Sequence, residues 1–120
     1  MRRRSEGPIT VYQKPTCSKC RATLSLLKER GVEFDAVNYY ERPLKASELR
    51  SLISKMGVGP REILRTGEPA YRDLVKNRDL SDDELIDLMV KNPDLIQRPI
   101  VVRGEEAVLC RPPENVERLL

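Results

Sequence analysis

The apolar positions change period along the chain, and those changes mark the elements. Ile9-Thr10-Val11-Tyr12 alternates and is rich in β-formers, which predicts a first strand. Lys14-Pro15-Thr16-Cys17 interrupts it. From Ser18 to Arg30, Cys20, Leu24 and Leu27 recur at helical spacing, and Gly31 follows as a natural helix terminator. Phe34 to Tyr39 reads as a second strand. After Pro43, Leu49, Leu52, Ile53 and Met56 stand at i, i+3, i+4 and i+7, an amphipathic helix stopped by Gly57. Between Val58 and Leu80 the pattern supports only short helical pieces, around Arg61–Arg65 and Tyr71–Lys76, divided by Gly67 and Pro69. Ser81-Asp82-Asp83-Glu84 is a capping box that opens onto Leu85, Ile86, Leu88 and Met89, and Asn92-Pro93 closes that helix. Ile100-Val101-Val102 and Ala107-Val108-Leu109-Cys110 flank the turn Arg103-Gly104-Glu105 as an antiparallel hairpin. Pro112-Pro113 leads into a short terminal helix with Val116, Leu119 and Leu120 on one face.

The order is therefore β-α-β, a helical insertion from about Leu44 to Pro93, then β-β-α. It predicts an α/β fold with the thioredoxin/glutaredoxin-like layout. In it a four-stranded mixed sheet is packed with helices, and the insertion lies between the second and third strands. A chain of 120 residues suits one such domain, placed at 9–120. With four Tyr, one Phe and no Trp, its core must be aliphatic. Residues 1–8 are expected to be a disordered basic tail. No apolar stretch of roughly 7–15 residues follows Arg2-Arg3-Arg4, so the tail does not read as a secretory signal. No run approaches the ~18 apolar residues of a membrane span. A cytoplasmic protein without a membrane partner is expected. The formal net charge of +3 comes from those three arginines, so from Ser5 onward cations and anions balance. A neutral body argues against direct nucleic-acid binding.

The chain has no histidine, which removes every mechanism that needs an imidazole base or ligand. Its three cysteines make neither a disulfide framework nor a four-thiolate metal site, so no metal is expected. In a reducing compartment a close cysteine pair points to redox or nucleophilic chemistry. Cys17 and Cys20 form such a pair, C-x-x-C, at a strand-to-helix junction. There Cys17 meets the unpaired N–H groups and positive end of a helix, which favour an anion. A thiol of pKa ~8.5 is only about 3% thiolate at pH 7, whereas one near ~6 is about 90%. Cys20 shares the apolar face with Leu24 and Leu27, so packing is an open alternative for it. Cys110, in a strand, reads as a packing residue.

Four stretches then occur in order: Tyr12-x-x-Pro15-x-Cys17-Ser18-Lys19-x-Arg21, Ile63-Leu64-Arg65, Gln97-Arg98-Pro99-Ile100-Val101-Val102 and Arg111-Pro112-Pro113-Glu114. As a set they resemble the arsenate reductase (ArsC) family of glutaredoxin-like proteins, which includes the Spx regulators as a branch. The resemblance spans about Ile9 to Leu120. It implies that Cys17 is the catalytic cysteine, that Arg65, Arg98 and Arg111 hold an arsenate oxyanion, and that Pro99 follows a cis peptide. Arg61, four residues before Arg65, competes for its place. Physical chemistry agrees with arginines in such a role: guanidinium forks suit tetrahedral oxyanions and keep their charge when partly desolvated.

The resemblance further implies no bound cofactor, with glutathione or a protein thiol as reductant and glutaredoxin or thioredoxin as partner. This chain departs from it at two positions. Cys20 stands where many members carry Ser or Thr, so the pair could resolve an adduct internally as a disulfide. Gln13 stands where several carry a histidine. Two alternatives to arsenate reduction accompany the C-x-x-C pair: an arsenic-independent thiol-disulfide oxidoreductase, and an Spx-like redox-sensing transcriptional regulator.

Overall fold

Strand β1 (Ile9–Gln13) buries every second residue, Ile9, Val11 and Gln13. That alternation is what the pleat demands of a strand covered on one face. The structure, a computed structural model, describes residues 7–120. Of the expected tail at 1–8, residues 1–6 lie outside the described residues. The Gly7 carbonyl accepts a hydrogen bond from Arg103 Nε at 2.9 Å.

The described chain forms two compact units. One runs up to Arg42 and resumes at Arg98–Leu120; the other is Pro43–Gln97. In the first, β1 pairs in parallel with β2 (Asp35–Asn38), and helix α1 (Ser18–Glu29) makes the crossover that a parallel pair needs. β3 (Ile100–Arg103) lies antiparallel to β1, and β4 (Glu106–Leu109) antiparallel to β3, giving the order β2-β1-β3-β4. This is the mixed four-stranded sheet expected from the element order. Gly104 takes φ +61°, the left-handed conformation that the tight β3–β4 turn requires.

The core of this unit is aliphatic, as the composition demands. Ile9, Val11, Leu27, Val101, Val108, Cys110, Val116 and Leu119 form one buried cluster, with Phe34 packed against it. Fully burying each such aliphatic side chain contributes about 1.5–3 kcal/mol. The terminal segment Pro113–Leu119 is a 3-10 helix rather than the short α-helix its pattern suggested. Its buried residues Pro113, Val116 and Leu119 recur at intervals of three, which stack directly in line at three residues per turn. Arg30, the residue that caps the end of α1, is paired with Glu117 of this segment.

The Pro43–Gln97 unit contains α2 (Ala46–Met56), α3 (Pro69–Leu74) and α4 (Asp82–Lys91), with 3-10 turns at Pro60–Ile63 and Pro93–Leu95. α2 buries Leu49, Leu52 and Ile53, and α4 buries Leu85, Ile86 and Met89. Gly57 ends α2 at φ +71°. The helical piece anticipated up to Arg65 stops at Ile63. Beyond it, Leu64 forms an antiparallel bridge with Ile96, and Arg65 N–H donates to Leu95 O at 2.8 Å. The piece anticipated from Tyr71 starts earlier, at Pro69, a residue preorganised for the first turn of a helix. Among the described residues no helix is long and apolar enough to cross a membrane.

Candidate active site

β1 ends at Gln13, and the chain turns so that Cys17 N–H donates to Lys14 O at 3.0 Å. Cys17 becomes the N-cap of α1. Its backbone is extended, its Sγ accepts the Cys20 N–H at 3.4 Å, and its carbonyl accepts the Arg21 N–H at 3.0 Å. The first turn of α1 carries no acidic residue, so nothing negative on that turn competes with the sulfur for the helix end. Partial burial pushes the Cys17 thiol up. Hydrogen bonds from the Cys20 side chain and N–H, from the Arg98 side chain and from the Lys19 backbone outweigh this, so the thiol lies below its ordinary value of 9.0.

Cys20, one turn into the helix, is fully buried. Burial, reinforced by the neighbouring Cys17, pushes its thiol up to about 12. The two sulfurs thus differ in the direction needed for one to attack while the other stays protonated. Cys110 follows directly after β4, inside the aliphatic cluster. Burial first, and the nearby Cys20 next, raise it to about 12. The structure holds all three cysteines as free thiols.

Arg98 precedes a cis peptide to Pro99 at the entry to β3, and Arg111 precedes a second cis peptide to Pro112 after β4. The hairpin brings them together: Arg111 Nη1 donates to the Arg98 carbonyl at 3.1 Å. Arg98 is only 7% exposed. Its Nη1 donates to Tyr40 Oη at 3.2 Å and Tyr39 Oη at 3.5 Å, while its buried Nε has no hydrogen-bond partner among the described residues. Burial disfavours its cation, but the tyrosines and Cys17 outweigh that and the guanidinium keeps its charge. Gln13 Oε1 is likewise buried and unpartnered.

Arg65 belongs to the Pro43–Gln97 unit. There its Nη2 pairs with Glu68 Oε1 at 2.7 Å. Its competitor Arg61 donates to the Leu80 carbonyl at 2.7 Å. Among the described residues no group of three or more His, Cys, Asp or Glu side chains could hold a metal.

The profile of the ArsC family matches residues 12–119, nearly the whole chain. The chain belongs to the ArsC family. An uncharacterised Escherichia coli protein, YfgD, is 46% identical over 110 residues, covering 90% of this chain and 92% of its own. An arsenate reductase of Neisseria meningitidis is 38% identical over 114 residues, covering 93% and 97%. The structure of an arsenate reductase from Vibrio cholerae superimposes with a TM-score of 0.91 at 37% identity, covering 95% of this chain and 98% of its own.

Reading this ArsC sequence alone misses two residues beside Arg98, Tyr39 and Tyr40. A signal existed. Half of the four tyrosines form one doublet, just past the C-terminal end of the parallel strand β2. The carboxyl ends of parallel strands are where α/β sheets gather functional groups.

Proposed function

We propose that this chain reduces arsenate to arsenite. Cys17 is the nucleophile, Cys20 the resolving thiol, and Arg65, Arg98 and Arg111 bind the oxyanion. The observation that carries the reading is the lowered thiol of Cys17 at a helix N-terminus beside the buried Arg98. The relatives named arsenate reductases support the substrate.

The Cys17 thiolate attacks arsenic, and an arsenate oxygen leaves as water once protonated, giving a thiol-bound As(V) adduct. A second thiolate then attacks the Cys17 sulfur. The S–As bonding pair remains on arsenic, which falls to As(III) and leaves as arsenite, and a disulfide is left behind. Two electrons and two protons from a thiol reductant restore the enzyme. Arsenate and thiolate are both anions, so the cations do the work of bringing them together. The unpartnered Arg98 Nε supports such a role, because it is a buried donor available to an oxygen.

Cys20 supplies the second thiolate inside the protein. Burial, and after it the neighbouring Cys17, keep it protonated, and the adduct on Cys17 removes the second of these causes, so its deprotonation becomes easier as the adduct forms. The resulting Cys17–Cys20 disulfide suits reduction by thioredoxin or glutaredoxin in the cytoplasm. The same pair supports a second reading, disulfide exchange without arsenic, because the thiols touch and differ in acidity.

A coupled NADPH assay separates the two readings. Oxidation that depends on both arsenate and Cys17, with glutathione and glutaredoxin or with thioredoxin, is expected. Absence of arsenate-dependent oxidation with either system, alongside reduction of a disulfide substrate, would replace the first reading by the second. Cys20→Ser is expected to lose thioredoxin-supported turnover and retain part of the glutathione-supported turnover. Unchanged turnover with every reductant would make Cys20 a packing residue.

A further inference from the structure

β2 ends level with β1, Asn38 opposite Gln13. Asn38 then organises the turn that follows. Its Oδ1 accepts the Tyr40 N–H at 3.0 Å, and its carbonyl accepts the N–H groups of Glu41 and Arg42 at 3.1 and 3.0 Å. An Asx turn of this kind fixes the backbone locally, and with it the origin of the Tyr39 and Tyr40 side chains. The rings lie 5.2 Å apart at a tilt of 34°. Both hydroxyls address the same nitrogen, Arg98 Nη1. The Tyr40 ring also meets two cations: Lys14 Nζ is 4.4 Å and Arg98 Cζ 5.7 Å from its centroid.

We propose that Tyr40 is a positioning residue for the chemistry of Cys17. Its hydroxyl holds Arg98, and its ring holds Lys14 on the turn that carries the thiol. Arg and Lys side chains have many rotamers, and two neighbouring cations repel each other. A ring face offers both of them negative quadrupole density, and a hydroxyl aims one of them. Tyr39, almost fully buried, backs Tyr40 and offers a second acceptor. The role deepens the reading of Cys17 as the reacting thiol. The proposed route from the hydroxyl to Cys17 runs through Arg98, and that makes it separable from simple packing.

The test follows iodoacetamide alkylation of Cys17 in the full chain across pH, resolved by mass spectrometry from the buried Cys20 and Cys110. No arsenate is present, so failure of the arsenate reading would leave this test intact. Tyr40→Phe is expected to move the Cys17 inflection upward and slow alkylation at pH 7 by about twofold to fivefold. Tyr40→Leu, which loses the ring as well, should move it further, to roughly tenfold. In an Arg98→Ala background, Tyr40→Phe should add nothing. An unchanged inflection in Tyr40→Phe, or the same shift whether or not Arg98 is present, would overturn the role. The Phe variant keeps the test valid if the Leu variant fails to fold.

Discussion

Helices α1 and α4 both begin on an extended residue whose side chain accepts the N–H three positions on. Cys17 Sγ accepts from Cys20 at 3.4 Å, and Ser81 Oγ from Glu84 at 3.2 Å. From there they diverge. The first turn of α4 carries Asp82, Asp83 and Glu84, and Glu84 Oε1 accepts the Ser81 N–H in return. That end meets its dipole with its own carboxylates and closes on itself. The first turn of α1 has no acid, and the Arg98 cation contacts the cap sulfur. Its positive end acts on a thiol, whose ordinary form is neutral. The same local geometry therefore anchors a helix in one place and prepares a nucleophile in the other. What differs is the acidity of the cap atom and the sign of the charges around it.

The largest effect should come from Cys17→Ser. Serine is as good a cap, so urea unfolding should stay within about 0.5 kcal/mol of the parent. Arsenate turnover in the coupled assay should fall by about a thousandfold or more, because a hydroxyl there is no nucleophile at neutral pH. Substantial residual turnover would mean that the cap sulfur is not the reacting atom.

Next comes Arg98→Ala, which removes the buried cation at this end of the sheet. Charge-assisted hydrogen bonds to an oxyanion contribute about 1.5–3 kcal/mol, so kcat/KM for arsenate should drop roughly tenfold to a hundred-and-fiftyfold. Kinetics indistinguishable from the parent would take Arg98 out of the oxyanion site.

At the other helix the currency is stability alone. Ser81→Ala should cost about 1 kcal/mol in unfolding and leave Cys17 alkylation untouched. A changed alkylation profile would show that the two helix ends are not independent.

The smallest effect concerns Glu84. Its hydrogen bonds with the Ser81 backbone and side chain hold its carboxyl below the ordinary 4.5. A depressed acid stabilises the fold above its unfolded pKa and loses that contribution as pH falls through its folded value. Glu84→Gln should therefore differ from the parent in urea unfolding near neutrality, with the gap closing on acidification below about 4.5. A gap that widens in acid would reverse the assignment.

Much of this was legible in the residues. The alternation at Ile9–Tyr12, the break at Pro15 and the helical spacing of Cys20, Leu24 and Leu27 already place Cys17 at a strand-to-helix junction. The Ser81–Glu84 box is equally local: both of its hydrogen bonds join residues three apart. The 3-10 geometry at Pro113–Leu119 was less legible, because residues spaced by three also fall near one face of an α-helix. The tyrosine contacts were not legible at all. Tyr39 and Tyr40 are 59 and 58 residues from Arg98 in sequence, and no periodicity reports a contact made over such a separation.

The sequence by itself determined the elements, their order, the cap that Cys17 forms and the aliphatic character of the core. All of these follow from short-range periods and from the conformational preferences of Gly, Pro and Ser. The tertiary structure alone decided which groups surround the thiol. Pairing β3 antiparallel to β1, with Tyr12 opposite Ile100, carries Arg98 to the end of β1. Pairing β2 parallel to β1 brings Tyr39 and Tyr40 to the same end. A strand's alternation fixes which face is buried, but not which neighbour it takes or in which direction. The burial that raises Cys20 and Cys110 depends on that packing, and so does the Arg98 contact that helps lower Cys17, whereas the Cys20 and Lys19 contacts belong to the first turn of α1 itself.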